Sequence, residues 1–406
     1  MTSIPSHLTH SRRYDLDWLR VIAFACLIFY HVGMGYVTWD FHVKSAHAGP
    51  EIEWAMMLMN PWRLGLLFFI SGVAFRFASD RLTGGTVARR RLIRLGLPIV
   101  FAMLVVVAPQ SYFELRQQGL TDADYLAFLS IYLAPGEDFG LIMPTWNHLW
   151  YVVYLLVYSL MFAAALPLMK ALAEGPAKRF FDVISAGPMR ALTLIAVPFI
   201  VYRFTLDTQF QTTHNLVWDW ANHAHRLTIF GIGYFIAKHD RFWMAVDKVF
   251  PWALGLTVGL VLTMGPVWAF WDEVVETVPM WTVEFFRVVR VWYAWLVILT
   301  LIGGAQRFLN RPSPILTYFN SAVFAWYMVH QTVLIAAIYY LTQHAMPGWV
   351  EFLLVALITV IGCHLFYELG RHLPRFLALF FGIERRKASD SSNEAMTSDQ
   401  TAERPA

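Results

Sequence analysis

The chain has 406 residues, of which 58% are apolar or aromatic and only 15% charged, against about 45–50% and about 25% in an ordinary soluble domain. Its 31 basic and 28 acidic residues leave a net charge of +3, and 16% are aromatic, which excludes a general nucleic-acid binder and a disordered chain. An all-α polytopic membrane protein is what these numbers leave, and Cys26 and Cys363, each inside an apolar run, exclude a disulfide framework.

A helix crossing ~30 Å of hydrocarbon needs about 20 mostly apolar residues. Ten such stretches are predicted in chain order: 18–38, 55–75, 91–109, 148–168, 186–203, 226–238, 251–271, 286–303, 319–341 and 349–368. The first is too long for a cleavable signal and lacks a small-x-small exit. The fifth carries Pro188 and Pro198, and the sixth has only a short apolar core, Leu227 to Ala237. A tilted, broken or enclosed helix is expected there. Residues 1–387 read as one membrane domain and 388–406, polar and without an apolar run, as a disordered cytoplasmic tail. There is no fixed-period repeat, P-loop or CxxC pair.

Lys and Arg set the orientation, because cytoplasmic loops hold their excess. With both termini inside, 22 of the 31 basic residues fall on the cytoplasmic side. The outer side keeps only Lys44, Arg63, Arg116, Arg203, Arg226, Arg287 and Arg290.

Ionisable groups inside a membrane are costly and mark functional candidates. In the first span Arg20 and His31 are eleven residues apart, which brings them to within about 20° of one face and separates them by roughly 16 Å along the axis. Asp17 stands one turn before Arg20 and is placed to pair with it. Two readings of His31 fit this spacing. In one it is interhelical glue and Arg20 reaches the headgroups. In the other it is a general base, since imidazole titrates near neutrality.

Further along, Arg89, Arg90, Arg91 and Arg94 open the third span. Arg89 and Arg90 serve as topology signal, whereas Arg94 has already entered the apolar segment beside Arg91. Guanidinium groups suit bidentate phosphate recognition. Arginines at the inner surface with a histidine deeper on the same axis fit a substrate with phosphates at one end and a reactive group on a long arm, as in acyl-coenzyme A. His148 and Trp150 are expected at the outer mouth of the fourth span, to orient a substrate or cap the helix. His330, beside Gln331 in the ninth span, is expected near mid-membrane at the depth of His31. Eleven tryptophans map to the outer half and three to the inner interface, an excess that leaves some for a platform under a sugar-like acceptor. The outer histidines are spaced too loosely for a metal site.

Arg20 and His31 with ten residues between them, the run Phe68-Phe69-Ile70-Ser71-Gly72 and Arg91-x-x-Arg94 before Pro98 resemble the acyltransferase-3 family of membrane proteins. The pieces His148-Leu-Trp-Tyr151 and Tyr327-Met-Val-His330-Gln331 are similar to its later blocks, in the family's order across most of residues 14–370. The opening Tyr-Asp-Leu-Asp-Trp-Leu-Arg-Val further resembles the branch that modifies periplasmic glucans, the glucan biosynthesis protein C type. The resemblance implies transfer of an acyl group from cytoplasmic acyl-CoA, a co-substrate, to an outer hydroxyl-bearing acceptor, often a glycan, with no tightly bound cofactor. It also implies a bacterial inner membrane. It makes His31 and Arg20 the essential pair and Arg91 and Arg94 the donor side; Asp17, by its spacing, would hold Arg20 in place as part of the catalytic group, and His148, Trp150 and His330 are left for the acceptor. His31 would act as base or as transient acyl carrier. A transporter or flippase, for which midplane polar residues and broken helices are also expected, stands as the rival reading.

Overall fold

All ten apolar stretches fold as helix in the computed structural model, which describes residues 12–384. The expected tail, 388–406, and the basic residues Arg385, Arg386, Lys387 and Arg404 lie outside the described residues. In chain order the elements are α1 (Tyr14–Met34), α2 (Glu53–Ser79), α3 (Gly84–Gln117), α4 (Tyr125–Tyr132), β1 (Gly136–Asp138), β2 (Leu141–Met143), α5 (Asn147–Ala164), α6 (Leu166–Glu174), α7 (Pro176–Ser185) and α8 (Pro188–Thr205). There follow α9 (Trp220–Ile236), α10 (Asp240–Ala269), α11 (Trp271–Thr277), α12 (Met280–Phe308), α13 (Pro314–Leu341), α14 (Gly348–His372) and α15 (Arg375–Ala378).

Among the described residues eight helices are long and apolar enough to cross a membrane: α1, α2, α3, α5, α10, α12, α13 and α14. The expected fifth span is α8, which meets α7 at a bend of 113° over Ala186 and Gly187, so the pair counts as one broken span. The expected sixth is α9, whose 17 residues reach only about 26 Å. Its first turns carry Asn222, His223, His225 and Arg226 instead of apolar side chains. The count is therefore eight, or nine with the bent pair, where the apolar runs alone suggest ten.

Close backbone approach builds the centre. A Cβ on Gly72 of α2 would lie 2.0 Å from the Phe230 carbonyl of α9, and one on Gly233 of α9 would lie 2.2 Å from that of Phe69. Glycine on both sides lets these helices touch along their backbones, the device membrane helices use in place of a hydrophobic drive.

Prolines loosen α3 where polar partners are needed. Two π turns, Leu92–Gly96 and Ala102–Val106, flank Pro98. Val107 N–H therefore bonds back to Ala102, which frees the Met103 carbonyl to accept from the Tyr132 hydroxyl at 2.7 Å. The Gln110 N–H bonds to the Val107 carbonyl, one residue on from its regular helical partner, and the Val106 carbonyl accepts from Thr332 of α13 at 2.5 Å.

α1 and α13 run parallel and in register, Arg20 donating to Asn320 and His31 meeting His330. Beyond α1 the chain folds back as an ordered loop. Lys44 Nζ donates to the carbonyls of Met34 and Trp39, at 2.8 Å each, and of Val37, closing the helix end. The described ends share one face of the bundle: Arg13 stacks on Trp243 at 4.0 Å, and Glu384 approaches Arg94 at 3.6 Å. On that face Lys238, 2.6 Å from Asp80, holds its carboxyl below the usual carboxylate range. The pair helps tie α2 to the α9–α10 turn at neutral pH and lets go as acid protonates Asp80.

Candidate active site

On the face opposite the chain ends, a cavity of about 1060 Å³ opens between the loops around residues 39–42, 142–150 and 212–215. Its inner wall includes Leu27, His31, Tyr151 and Tyr327. His31 sits in the last turn of α1, which ends at Met34 before the loop that Lys44 closes.

Three histidines from three helices gather at this wall. His31 Nδ1 lies 2.7 Å from His330 Nε2, with the rings stacked at 5.0 Å between centroids. His148 meets His330 edge-on, also at 5.0 Å. The hydrogen bonds fix the tautomers. His330 Nδ1 is 2.7 Å from the Tyr327 carbonyl, which can only accept. Nδ1 of His330 therefore carries the proton and its Nε2 is an acceptor. It follows that His31 holds its proton on Nδ1 and donates it to His330. The remaining nitrogen of His31, Nε2, carries a free lone pair and has no partner among the described residues. His31 lines the cavity, while His330 is fully buried behind it.

His148 is engaged at both nitrogens. Nε2–H is shared between the carbonyls of Tyr327 and Met328 at 3.2 Å each, and Nδ1 accepts from Gln110 at 3.4 Å. Gln110 also donates to Thr332 at 2.7 Å and accepts from Asn147 and Gln331 at 3.1 Å each. His148, in the first turn of α5, lines the cavity while only 6% exposed, within a network that holds α3, α5 and α13 together. Trp150 does line the cavity, stacked on His214 at 4.2 Å. Burial pushes the His214 imidazole below its ordinary pKa, so that ring is uncharged at neutral pH.

Toward the other face, Asp17 accepts from Arg20 at 3.4 Å and from Arg12 at 3.0 Å. Arg91 lies over Phe75 at 5.1 Å, whereas Arg94 is largely exposed. The charge of Arg94 bears on both Arg20 and Arg91. Tyr151 links the two halves. It lines the cavity, its hydroxyl is 2.8 Å from Ser71 Oγ, and Arg20 and Arg91 both bear on it. Tyr151 and Ser71 stand in sequence runs singled out above and Asn320 in the ninth apolar stretch, but nothing in a single sequence separates them from ordinary interhelical polar residues. Among the described residues no cluster of His, Cys, Asp and Glu is arranged to hold a metal ion.

Eight of the eleven tryptophans assigned to the opposite face fall into two groups. Trp54, Trp218, Trp220, Trp281 and Trp349 are more than half exposed, as an aromatic belt requires. Trp39, Trp146 and Trp150 line the cavity instead.

Residues 13–368 match the family model of the acyltransferase-3 family, described as an acyltransferase domain. The chain is also similar to proteins named glucans biosynthesis protein C from Escherichia coli strain K12 and from Escherichia coli O139:H28 strain E24377A. In each case identity is 23% over 380 residues, covering 91% of this chain and 94% of the relative. No solved structure matches.

Proposed function

The chain belongs to the acyltransferase-3 family and is a membrane O-acyltransferase, and from that premise we propose that it moves an acyl group from cytoplasmic acyl-CoA to a hydroxyl of an extracytoplasmic glycan, a glucan being the acceptor that the relatives' name suggests, with His31 as general base. Family membership displaces the transporter reading. The observation that carries the proposal is His31 on the wall of a cavity with no hydrogen-bond partner at Nε2 among the described residues, its tautomer fixed by the Tyr327 carbonyl through His330.

Phosphates of the donor bind at the face that carries the chain ends, against Arg91 and Arg94, with Arg20 held between Asp17 and Asn320. The excess of basic residues assigns that face to the cytoplasm, in a bacterial inner membrane. The acyl thioester reaches the wall near Tyr151. An acceptor hydroxyl enters from the opposite cavity, past Trp150, and gives its proton to His31 Nε2 as its oxygen attacks the thioester carbon. As His31 becomes cationic, its Nδ1–H bond to His330 becomes charge-assisted. Collapse of the adduct expels the coenzyme A thiolate, which takes the proton from Nε2, and His31 returns to its starting state.

Purified protein in proteoliposomes, given acyl-CoA and a glucan, should release free coenzyme A. His31→Gln should lower that rate by about 10²–10⁴-fold while the protein stays folded. Full turnover by a folded His31→Gln variant would overturn the proposal.

A further inference from the structure

A second cavity, of about 630 Å³, lies between α2, α8, α9 and α12 on the cavity face and shares Asn60, Thr212 and Arg226 with the first. This is a volume typical of small-ligand sites. Four of the seven basic residues of this face line it, Arg203, Arg226, Arg287 and Arg290, and a fifth, Arg63, lines the adjoining His31 cavity. Residues 63, 203, 226, 287 and 290 come from four different helices, so their gathering is not a local sequence effect.

Their charges are only partly balanced. Glu284 serves Arg287 at 2.6 Å and Arg203 at 3.6 Å. Asp207 is 2.9 Å from His225. Asp219 is fully engaged with the Tyr154 hydroxyl, the Asn222 amide and two backbone N–H groups. That leaves Arg63, Arg226 and Arg290 with no paired carboxylate among the described residues. Arg63 is only 8% exposed, and its Nε and Nη1 are buried without a hydrogen-bond partner. The charge of Arg63 bears on both of the others. Arg226 and Arg290 are half-buried; Arg226 donates to Asn222 at 2.9 Å and feels the charges of Asp219 and Asp207, and Arg63 lies over the Tyr30 ring at 3.4 Å. Like charges gathered this way, without an ion pair of their own, favour an anion that joins them.

We propose that this side cavity is an anion subsite for the acceptor: a phosphate or carboxylate group on the glycan docks against Arg226 and Arg290, with Arg63 at the junction, while a hydroxyl of the same molecule reaches His31. Trp271 and Phe286 in the wall offer an apolar face to a sugar ring. The donor's own phosphates are met at the other face, which leaves this site to the acceptor. The inference rests on reading the His31 cavity as the acceptor's entrance. Its test reads binding without turnover, so either idea can fail alone.

The full chain is placed in nanodiscs of phosphatidylcholine, and the emission of the cavity tryptophans is followed during titration with glucose 6-phosphate, glucose and inorganic phosphate. Glucose 6-phosphate should give a saturable change that inorganic phosphate competes away, and glucose should give none. Arg290→Gln and Arg226→Gln should each weaken binding by about 10- to 100-fold. Arg116→Gln, at an arginine away from the cavity, should leave it unchanged. Arg290→Lys, which keeps the charge, should weaken binding less than Arg290→Gln, so that loss of binding is told apart from loss of fold. Equal binding of glucose, or unchanged affinity in both Gln variants, overturns the proposal. So does competitive displacement of glucose 6-phosphate when phosphatidylglycerol is added to the nanodisc, because the occupant is then a lipid headgroup.

Discussion

His330 touches no cavity and yet decides what His31 can do. Its Nδ1–H is committed to the Tyr327 carbonyl, so Nε2 offers an acceptor and nothing else. An acceptor at that point keeps the proton of His31 on Nδ1 and the lone pair on the cavity side. In the proposed reaction it would also stabilise the imidazolium formed as the acceptor hydroxyl is deprotonated. His330 is therefore a positioning residue. Supporting groups of this kind are worth about 10- to 100-fold when removed. In His330→Leu the acceptor is gone and His31 is free to take the wrong tautomer, so kcat should fall by about 10²-fold with KM for acyl-CoA unchanged. In His330→Gln the side-chain oxygen can still accept from Nδ1, and activity should recover to within about tenfold of the native protein. Steady-state kinetics on the two variants checks this. Equal loss in both would mean that His330 acts by packing alone.

At the scale of elements, what was legible in the sequence was whatever a local pattern encodes. Each apolar run became a helix, and the eleven-residue spacing of Arg20 and His31 is met by Asn320 and His330 on a parallel partner. Of the bend between α7 and α8 only Pro188 stood out in the sequence, and the turn itself was not foreseen. The π turns of α3 and the ordered loop after α1 were not legible, because they depend on partners distant in sequence, Tyr132, Thr332 and the backbone around Lys44. For the same reason His148 could be assigned to a helix start but not to a depth. The Phe68-to-Gly72 run gains a physical role from the fold, since Gly72 is where α2 meets the backbone of α9. Alanine at Gly72 or Gly233 would place its Cβ within 2.0 or 2.2 Å of a carbonyl oxygen, and overpacking of this type costs about 1–3 kcal/mol. Both substitutions should lower the thermal midpoint in detergent. Gly85→Ala, with nothing within 4 Å of its Cβ, is the control and should change little. An unchanged midpoint for Gly72→Ala would show that the helices separate freely there.

For the whole molecule, the sorting of charge gives each face its task. On the face with the chain ends, basic residues lie beside acids at the helix junctions: Arg13 with Asp15, Lys238 with Asp80, Arg241 with Asp182 and Arg307 with Asp247. Arg94 stays largely exposed there, 3.6 Å from the exposed Glu384, and in the proposed reaction it would meet the donor's phosphates together with Arg91. The other face has few basic residues, most of them drawn to the two cavities. If the first face is cytoplasmic, donor and acceptor arrive from opposite sides and meet near Tyr151, and reversing the chain would put Arg91 and Arg94 where acyl-CoA is absent. Orientation is therefore as decisive for the reaction as His31. Arg179 in α7 and Val217 before α9 are exposed and lie on opposite faces, while the natural thiols Cys26 and Cys363 lie within α1 and α14. In intact cells a membrane-impermeant maleimide should label Val217→Cys and spare Arg179→Cys, and after lysis it should label both. The opposite pattern would place Arg91 and Arg94 outside and remove the basis for a cytoplasmic donor.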